Sequence, residues 1–359
     1  MRALLACLLI GVGLFACGLY PATAQGPVAS TGAPPWLRTV WQMYLASYVT
    51  PNGRVIDNGN GGISHSEGQG YAMLIAVRAG DKRSFDRLWS WTKTNLRVRG
   101  DDLFAWAWDP GARPNVSDLN DASDGNILIA WALLDAASLW GIEPYRRDAQ
   151  KIIEAVAHRN VVMTRFGATL LPASRGFSAT DRTQDGPVVN LSYWVFPALA
   201  RFAEIDKTVG WHGVIASGLE LLQSARFGPL ALPSDWISLS NDRLKPAFGF
   251  PSVFGYDAIR IPLYLAWGRP QDHRRIAIFE HALTQPPFVP PAVVDLSTGT
   301  AAERFGEEGY AAIGTALRCI LHDIPANRAF QSVKKELYYP TTLHILSLLA
   351  LNDIRPNCL

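Results

Sequence analysis

The chain has 359 residues, 48% hydrophobic and 18% charged, enough apolar content for one large domain or two small ones and too much for a disordered polymer. Its 33 basic and 31 acidic residues leave a formal charge of +2, so electrostatics favours neither nucleic acid nor an anionic membrane as partner. The four cysteines form no C-x-x-C pair and the seven histidines are scattered, which excludes the usual zinc spacings; no metal or cofactor is expected.

Residues 3–20 are an unbroken apolar run after Arg2, and Ala22-Thr23-Ala24 follows as an A-x-A site. This reads as a signal peptide, residues 1–24, cleaved after Ala24, with export to the periplasm or medium. An uncleaved anchor is the alternative, since the run is near spanning length. Leu14-Phe15-Ala16-Cys17 is a poor lipoprotein box because Phe15 is bulky. Nothing later approaches the ~20 apolar residues of a spanning helix, so no membrane span is expected in the mature chain, residues 25–359, read as one domain. Cleavage removes Cys7 and Cys17; Cys319 and Cys358 remain as one disulfide or two separate thiols.

Helical patterns then dominate. Trp36 to Tyr48 is the first and Glu67 to Ala79 the second. In the third, Phe85, Leu88, Trp89, Thr92 and Leu96 fall on one face. The fourth, Asp124 to Trp140, is apolar on all sides and predicts a helix buried on all sides. Tyr145 to His158 is one-sided again. Further helices are expected over Leu191–Ile205, Trp211–Ala225, Tyr256–Trp267, His273–Leu283, Glu308–Leu321 and Leu337–Leu351, with a short one near Ala326–Val333. Val161–Pro172 and Trp236–Leu239 are the strand candidates. Buried and one-sided helices in alternation suggest two concentric layers, a toroid whose cleft is built from the loops preceding the inner helices. No repeat period supports a linear solenoid.

Three acidic residues stand at the starts of inner-type helices: Glu67 in SHSEGQGYAM, Asp124 in NDASDGNILIAWALL and Asp257 in FGYDAIRIPLYLAW. Each alone is an ordinary first-turn or capping acid; the serines before Glu67 suit the cap, and a first-turn Glu is worth about 0.3–1 kcal/mol. In the toroid they share one rim, with Arg260 as the nearby base. Carboxylates crowded together raise one another's pKa, as a pair of one protonated and one ionised carboxyl requires. Aromatic residues accompany them: Trp106 and Trp108 before the Asp124 helix, Tyr193-Trp194, Tyr256 and Tyr338-Tyr339. Such rings pack on the C–H faces of sugars, although Trp is equally at home in a core.

Three blocks in order resemble glycoside hydrolase family 8: Ser66 to Met73 (S-E-G-Q-x-Y-x-M), Ala122-Ser123-Asp124-Gly125 with Ala136 to Trp140, and Tyr256 to Arg260 (Y-D-A-x-R). The resemblance extends from about Trp36 to Leu351 and is strongest to the secreted endoglucanases that accompany bacterial cellulose synthase. It implies an all-α (α/α)6 barrel of six helical hairpins that hydrolyses a β-1,4-glucan chain with inversion, with the cellulose synthase complex as an associated partner. By motif position Glu67 is the general acid, Asp257 the general base, and Asp124 binds and distorts the sugar. Trp106, Trp108, Tyr193, Trp194, Tyr256, Arg260, Tyr338 and Tyr339 are the expected substrate contacts. Inversion implies carboxyls roughly 6.5–9.5 Å apart. Arg260 is expected to lower the pKa of Asp257, and burial to raise that of Glu67. Asn126 departs from the pattern, standing where the family commonly has a second Asp, and Leu191 replaces the Pro of N-P-S-Y-W. The alternatives are the same fold acting on chitosan, xylan or mixed-linkage glucan, or a non-catalytic glucan-binding component of an export machine.

Overall fold

The computed structural model describes residues 32–359 apart from 183–184, 208–209, 241–242 and 290; the apolar leader, its cleavage site, Cys7 and Cys17 lie outside the described residues. Twelve helices are described: α1 (Pro35–Tyr48), α2 (Ser66–Arg78), α3 (Lys82–Leu96), α4 (Ser123–Trp140), α5 (Glu143–Asn160), α6 (Phe196–Ile205), α7 (Trp211–Ser224), α8 (Ile261–Gly268), α9 (His273–Ile276), α10 (Glu280–Thr284), α11 (Ala311–His322) and α12 (Tyr338–Ile354). In α2, every residue from Gly68 to Val77 is buried, and in α8 every residue from Ile261 to Trp267. α4 and α12 are buried almost as completely. Helices without a polar face have no side to offer water, so they lead the inner wall, a ring of six in which α2 packs on α4, α4 on α6, α6 on α8, α8 on α11, α11 on α12, and α12 back on α2. One-sided helices lie outside, α1 and α3 against α2, α5 against α4, α7 against α6, and α10 against α11. This is the (α/α)6 barrel.

Three expected helices start later than their patterns suggest; the one expected from Glu308 opens with a 3-10 turn, Glu308–Tyr310, before α11. Leu191–Tyr193 and Ala258–Arg260 are single 3-10 turns, followed by α6 and α8. Pro197 and Pro262 occupy the first turns of those helices. A proline there has no N–H to bond backward, so the preceding residues close a tighter turn of their own. The expected His273–Leu283 helix is likewise divided into α9, a 3-10 turn at Ala277–Phe279, and α10. Val161–Pro172 contains an antiparallel hairpin, Val161–Thr164 on Gly167–Leu170. Ile237–Ser238 is the middle strand between Val188–Val189 and Lys245–Pro246. A second three-stranded sheet, Val253–Phe254, Ala292–Asp295 and Thr300–Arg304, was not expected. Cys319 of α11 and Cys358 form a disulfide, with Cα atoms 6.2 Å apart.

The closed end of the barrel is tied by charge. Arg78, at the C-terminus of α2, donates from Nη1 to both carboxyl oxygens of Asp353 on α12 at 2.8 Å, and its Nη2 lies 3.2 Å from Asp135 on α4. Trp267 of α8 donates to Asp353 at 3.0 Å. Four inner helices therefore meet in one mostly buried ion cluster. Removing the cation would leave two carboxylates without compensation. Arg78→Met is expected to lower the unfolding free energy by about 3–5 kcal/mol, read as a lower urea midpoint at an unchanged slope, with part of the loss recovered when Asp135 is also made Leu.

Candidate active site

At the open end, the segment 64–65 pairs with 107–108, Ser64 opposite Trp108 and His65 opposite Ala107. This pairing holds His65 extended, and His65 caps α2 in place of the serines expected there: its Nδ1 accepts the Gly68 N–H at 2.9 Å. That bond leaves Nε2 as the protonated nitrogen, and it faces Asp57 Oδ2 at 3.3 Å. Ser66 N donates to the Trp106 carbonyl at 2.9 Å, so the Trp106 loop is fastened to the start of α2. Glu67 follows in the first turn. Gln69 of the same block is buried, accepting the Val55 N–H at 2.7 Å and donating to Thr92 at 2.8 Å, so it holds the preceding loop rather than a ligand.

Asp124 stands in the first turn of α4, whose start is fixed by Ser123 donating to the carbonyls of Leu171 and Pro172 at 2.8 and 2.7 Å. Gly125 allows the two helix starts to touch. A Cβ there would lie 2.1 Å from Ser66 Oγ and 2.7 Å from the Glu67 nitrogen. Asp257 comes from a third place, the turn leading into α8, and Arg260 from that same turn.

Arg260 joins them. Its side chain is 3% exposed, and Nη1 reaches Asp124 Oδ2 at 3.3 Å, the Tyr71 hydroxyl at 3.2 Å and Glu67 Oε1 in an ion pair. Nη2 donates to Asp257 Oδ1 and to Ser192 Oγ, both at 2.9 Å. Tyr71 donates to Glu67 Oε1 at 2.8 Å, and Tyr264 bonds the Tyr71 hydroxyl from behind. One guanidinium thus faces three carboxylates. Burial, with a smaller push from Asp121, raises Asp124 to about 7. Asp257 is pushed well above the usual carboxylate range by burial, then by Asp235 and Asp124. This reverses the expectation that Arg260 would lower it: the desolvation and the neighbouring acids outweigh one shared cation. Asp257 keeps 29% of its side-chain surface open to the cleft, and water there tempers the shift.

The structure sorts the expected aromatic contacts. Trp106 is 39% exposed and donates to Asp118 at 2.8 Å. Tyr256, 44% exposed beside Asp257, donates to Glu303 at 2.9 Å, and Tyr339 donates to its carbonyl at 2.7 Å. Tyr193 lies under Arg260, 5.8 Å from the guanidinium carbon to the ring centre. Trp108 is half-buried, with Arg54 over one face and Trp91 at its edge. Two expectations are corrected. Trp194 is wholly buried and donates to the Val214 carbonyl at 2.8 Å. Tyr338 is wholly buried against Tyr44, Tyr48 and His65. Each follows or precedes a cleft residue on a helix or turn, where adjacent side chains point in different directions. Trp236, read from sequence only as a strand residue, lies between Phe177 and Phe250 with ring centres 5.4 and 4.5 Å away. Tyr264 and Asp235 also lie at the site, and single polar residues carry no signal of burial; Ser192 stands inside the N-L-S-Y-W block, where the aromatic pair after it drew the reading.

Asn126 has a structural task. Its Oδ1 accepts the Phe104 N–H at 2.9 Å, and its Nδ2 donates to Asp121 at 3.3 Å and to the Ala122 carbonyl at 3.0 Å. A carboxylate there would face buried Asp121 with no proton to give it. Among the described residues no group of three or more His, Cys, Asp or Glu is arranged to hold a metal ion.

A buried cation thus holds several carboxyls at a solvent-reached, aromatic-edged rim. The profile described as Glycosyl hydrolases family 8 matches residues 13–353. The endoglucanase of Cellulomonas uda is 37% identical over 74% of this chain and 74% of its own. Among solved structures, the endoglucanase Cel10 of Klebsiella pneumoniae superposes with a TM-score of 0.81 at 36% identity, covering 88% of this chain and all of Cel10. The endo-beta-1,4-glucanase CMCax of Acetobacter xylinum gives 0.79 at 34% identity, covering 89% and 99%. The chain belongs to family 8 of the glycosyl hydrolases. It is a glycoside hydrolase.

Gly125→Ala is expected to force the starts of α2 and α4 apart, costing about 1–3 kcal/mol of stability and most of the activity. A thermal melt and a reducing-sugar assay check it; an alanine variant with unchanged rate and midpoint would show that the contact tolerates a methyl group.

Proposed function

We propose that this protein is an exported, inverting endo-β-1,4-glucanase that cuts cellulose-like chains as an accessory to bacterial cellulose synthesis. The observation that carries the hydrolytic part is the gathering of Glu67, Asp124 and Asp257 from three separate elements around Arg260. The names of the relatives support the glucan substrate, and the leader at residues 3–20 with its A-x-A site supports export. The synthetic context rests on the motif resemblance described above.

In this reading Glu67 protonates the glycosidic oxygen as the C–O bond breaks. Asp257 takes a proton from a water that attacks the anomeric carbon from the opposite face. Asp124, fixed by Arg260 and the Gly125 N–H, holds the sugar at the cleavage point. One cation against three carboxylates leaves excess negative charge, which bound protons relieve; the raised proton affinity lies at Asp124 and Asp257. A guanidinium bridging Glu67 and Asp257 holds their oxygens within about 8 Å, two hydrogen bonds plus its own width, a bound that admits the inverting and the retaining separation alike, so the product anomer decides between them. Tyr256, Tyr193 and Trp106 offer faces for the pyranose rings.

Three outcomes are expected. Glu67→Gln folds and binds cello-oligosaccharides but loses roughly 10²–10⁴-fold in turnover; wild-type rates would return Glu67 to a helix-start acid. The first product, followed by NMR, is the α-anomer, and a β-anomer would mean a retaining nucleophile. Because Asp257 acts only when ionised and its pKa is raised, kcat/KM falls as the pH drops through a value above the ordinary Asp range, and an acid limb near pH 4 would contradict the base assignment. Comparing carboxymethylcellulose with chitosan, xylan and mixed-linkage glucan fixes the substrate. The mass of the exported form fixes its N-terminus, expected at Gln25.

A further inference from the structure

Asp235 makes no contact with Arg260, yet it is 9% exposed and stands behind Asp257. Its Oδ1 accepts the Gly255 N–H at 2.8 Å and the Ala258 N–H at 2.9 Å. These residues flank Tyr256-Asp257 on either side, so one carboxyl oxygen grips both ends of the turn that carries the base. The backbone of Asp235 is itself fixed, its N–H donating to the Val253 carbonyl at 2.9 Å. The fit is close: a Cβ on Gly255 would stand 2.7 Å from Asp235 Oδ2, so the glycine is required for the carboxyl to reach the turn.

Two backbone N–H groups need an acceptor, not a charge. The amide oxygen of Asn would satisfy them without the cost of burying a carboxylate, and among the described residues no cation pairs with Asp235. What the carboxylate adds is negative charge beside Asp257. We propose that Asp235 is a positioning residue for the catalytic base: it fixes the Tyr256-Asp257 turn through the flanking N–H groups and sets a second carboxylate beside that base. This rests on the reading of Asp257 as the base.

The groups facing Asp257 come from every side. Arg260 of its own turn and the side chains of Asn190 and Trp236 favour the carboxylate. Asp124 of α4 and Asp235 oppose it. Tyr193, beside α6, and Tyr339 of α12 are neutral phenols held so by burial. Glu67 of α2 competes for the same guanidinium. Asp235 comes directly after burial in raising Asp257, and it is itself raised to about 6 by burial, so the two titrate as a pair.

The test is the pH dependence of kcat/KM on a neutral cello-oligosaccharide for wild type, Asp235→Asn, Asp235→Glu and Asp257→Asn. Asn keeps the acceptor and removes the charge. Its acid limb is expected to move to lower pH by about one unit, with kcat at the plateau within about tenfold of wild type. Glu keeps the charge and displaces the acceptor, so the limb should stay in place while kcat falls by roughly 10²-fold. A folded Asn variant whose acid limb coincides with wild type, with Asp257→Asn inactive, overturns the role of Asp235 alone. A Glu variant whose limb moves down as well overturns it even where the Asn variant does not fold. An active Asp257→Asn removes the base assignment, and this inference with it.

Discussion

A single buried guanidinium sets the terms of this structure. Arg260 is almost without solvent, and such a charge is tolerable only where carboxylates and hydroxyls take up its donors. It takes Glu67 from α2, Asp124 from α4, Asp257 from its own turn, Ser192 from the turn before α6 and the hydroxyl of Tyr71. Those partners cannot relax away from it without leaving a charge unpaired. The acids are therefore held close together in a site shut off from water, and that burial first, with neighbouring acids second, raises the proton affinity of Asp124 and Asp257.

The barrel makes this concentration affordable. The inner helices α2, α4, α8 and α12 are almost wholly buried, so they pack closely, and their N-terminal ends deliver the acids to one rim. The contact is tightest between α2 and α4, where Gly125 leaves no space between the starts that carry Glu67 and Asp124. At the other end Arg78, Asp135 and Asp353 repeat the arrangement in simpler form, one cation tying two carboxylates across three helices. That cluster is closed over by Trp131 and Trp267, whereas the Arg260 cluster opens to solvent at Asp257.

The rim depends on small elements. Two-residue strands at 64–65 and 107–108 decide where Glu67 and Trp106 meet. The 3-10 turn Ala258–Arg260, imposed by Pro262 at the start of α8, places Asp257 and Arg260 three residues apart with both side chains at the cleft floor. A regular helix beginning at Tyr256 would carry them through a different rotation.

The order of buried and one-sided helices was legible in the amino-acid sequence because apolar periodicity records directly which faces meet water. So were Glu67, Asp124, Asp257 and Arg260, since helix-start acids in three recurring blocks stand out against the rest of the chain. Contacts across the fold left no such trace. That Arg260 spans three acids, that Asp257 is raised rather than lowered, that Trp194 and Tyr338 belong to the core while Trp236 stands beside Asp257, and that Asn126 holds the Phe104 N–H all follow from neighbours far away in the chain. A local pattern reports a residue's own helix face. The sign of a pKa shift, or the exposure of one ring in a Tyr-Tyr or Tyr-Trp pair, depends on what tertiary packing puts opposite it, and only the folded structure decides that.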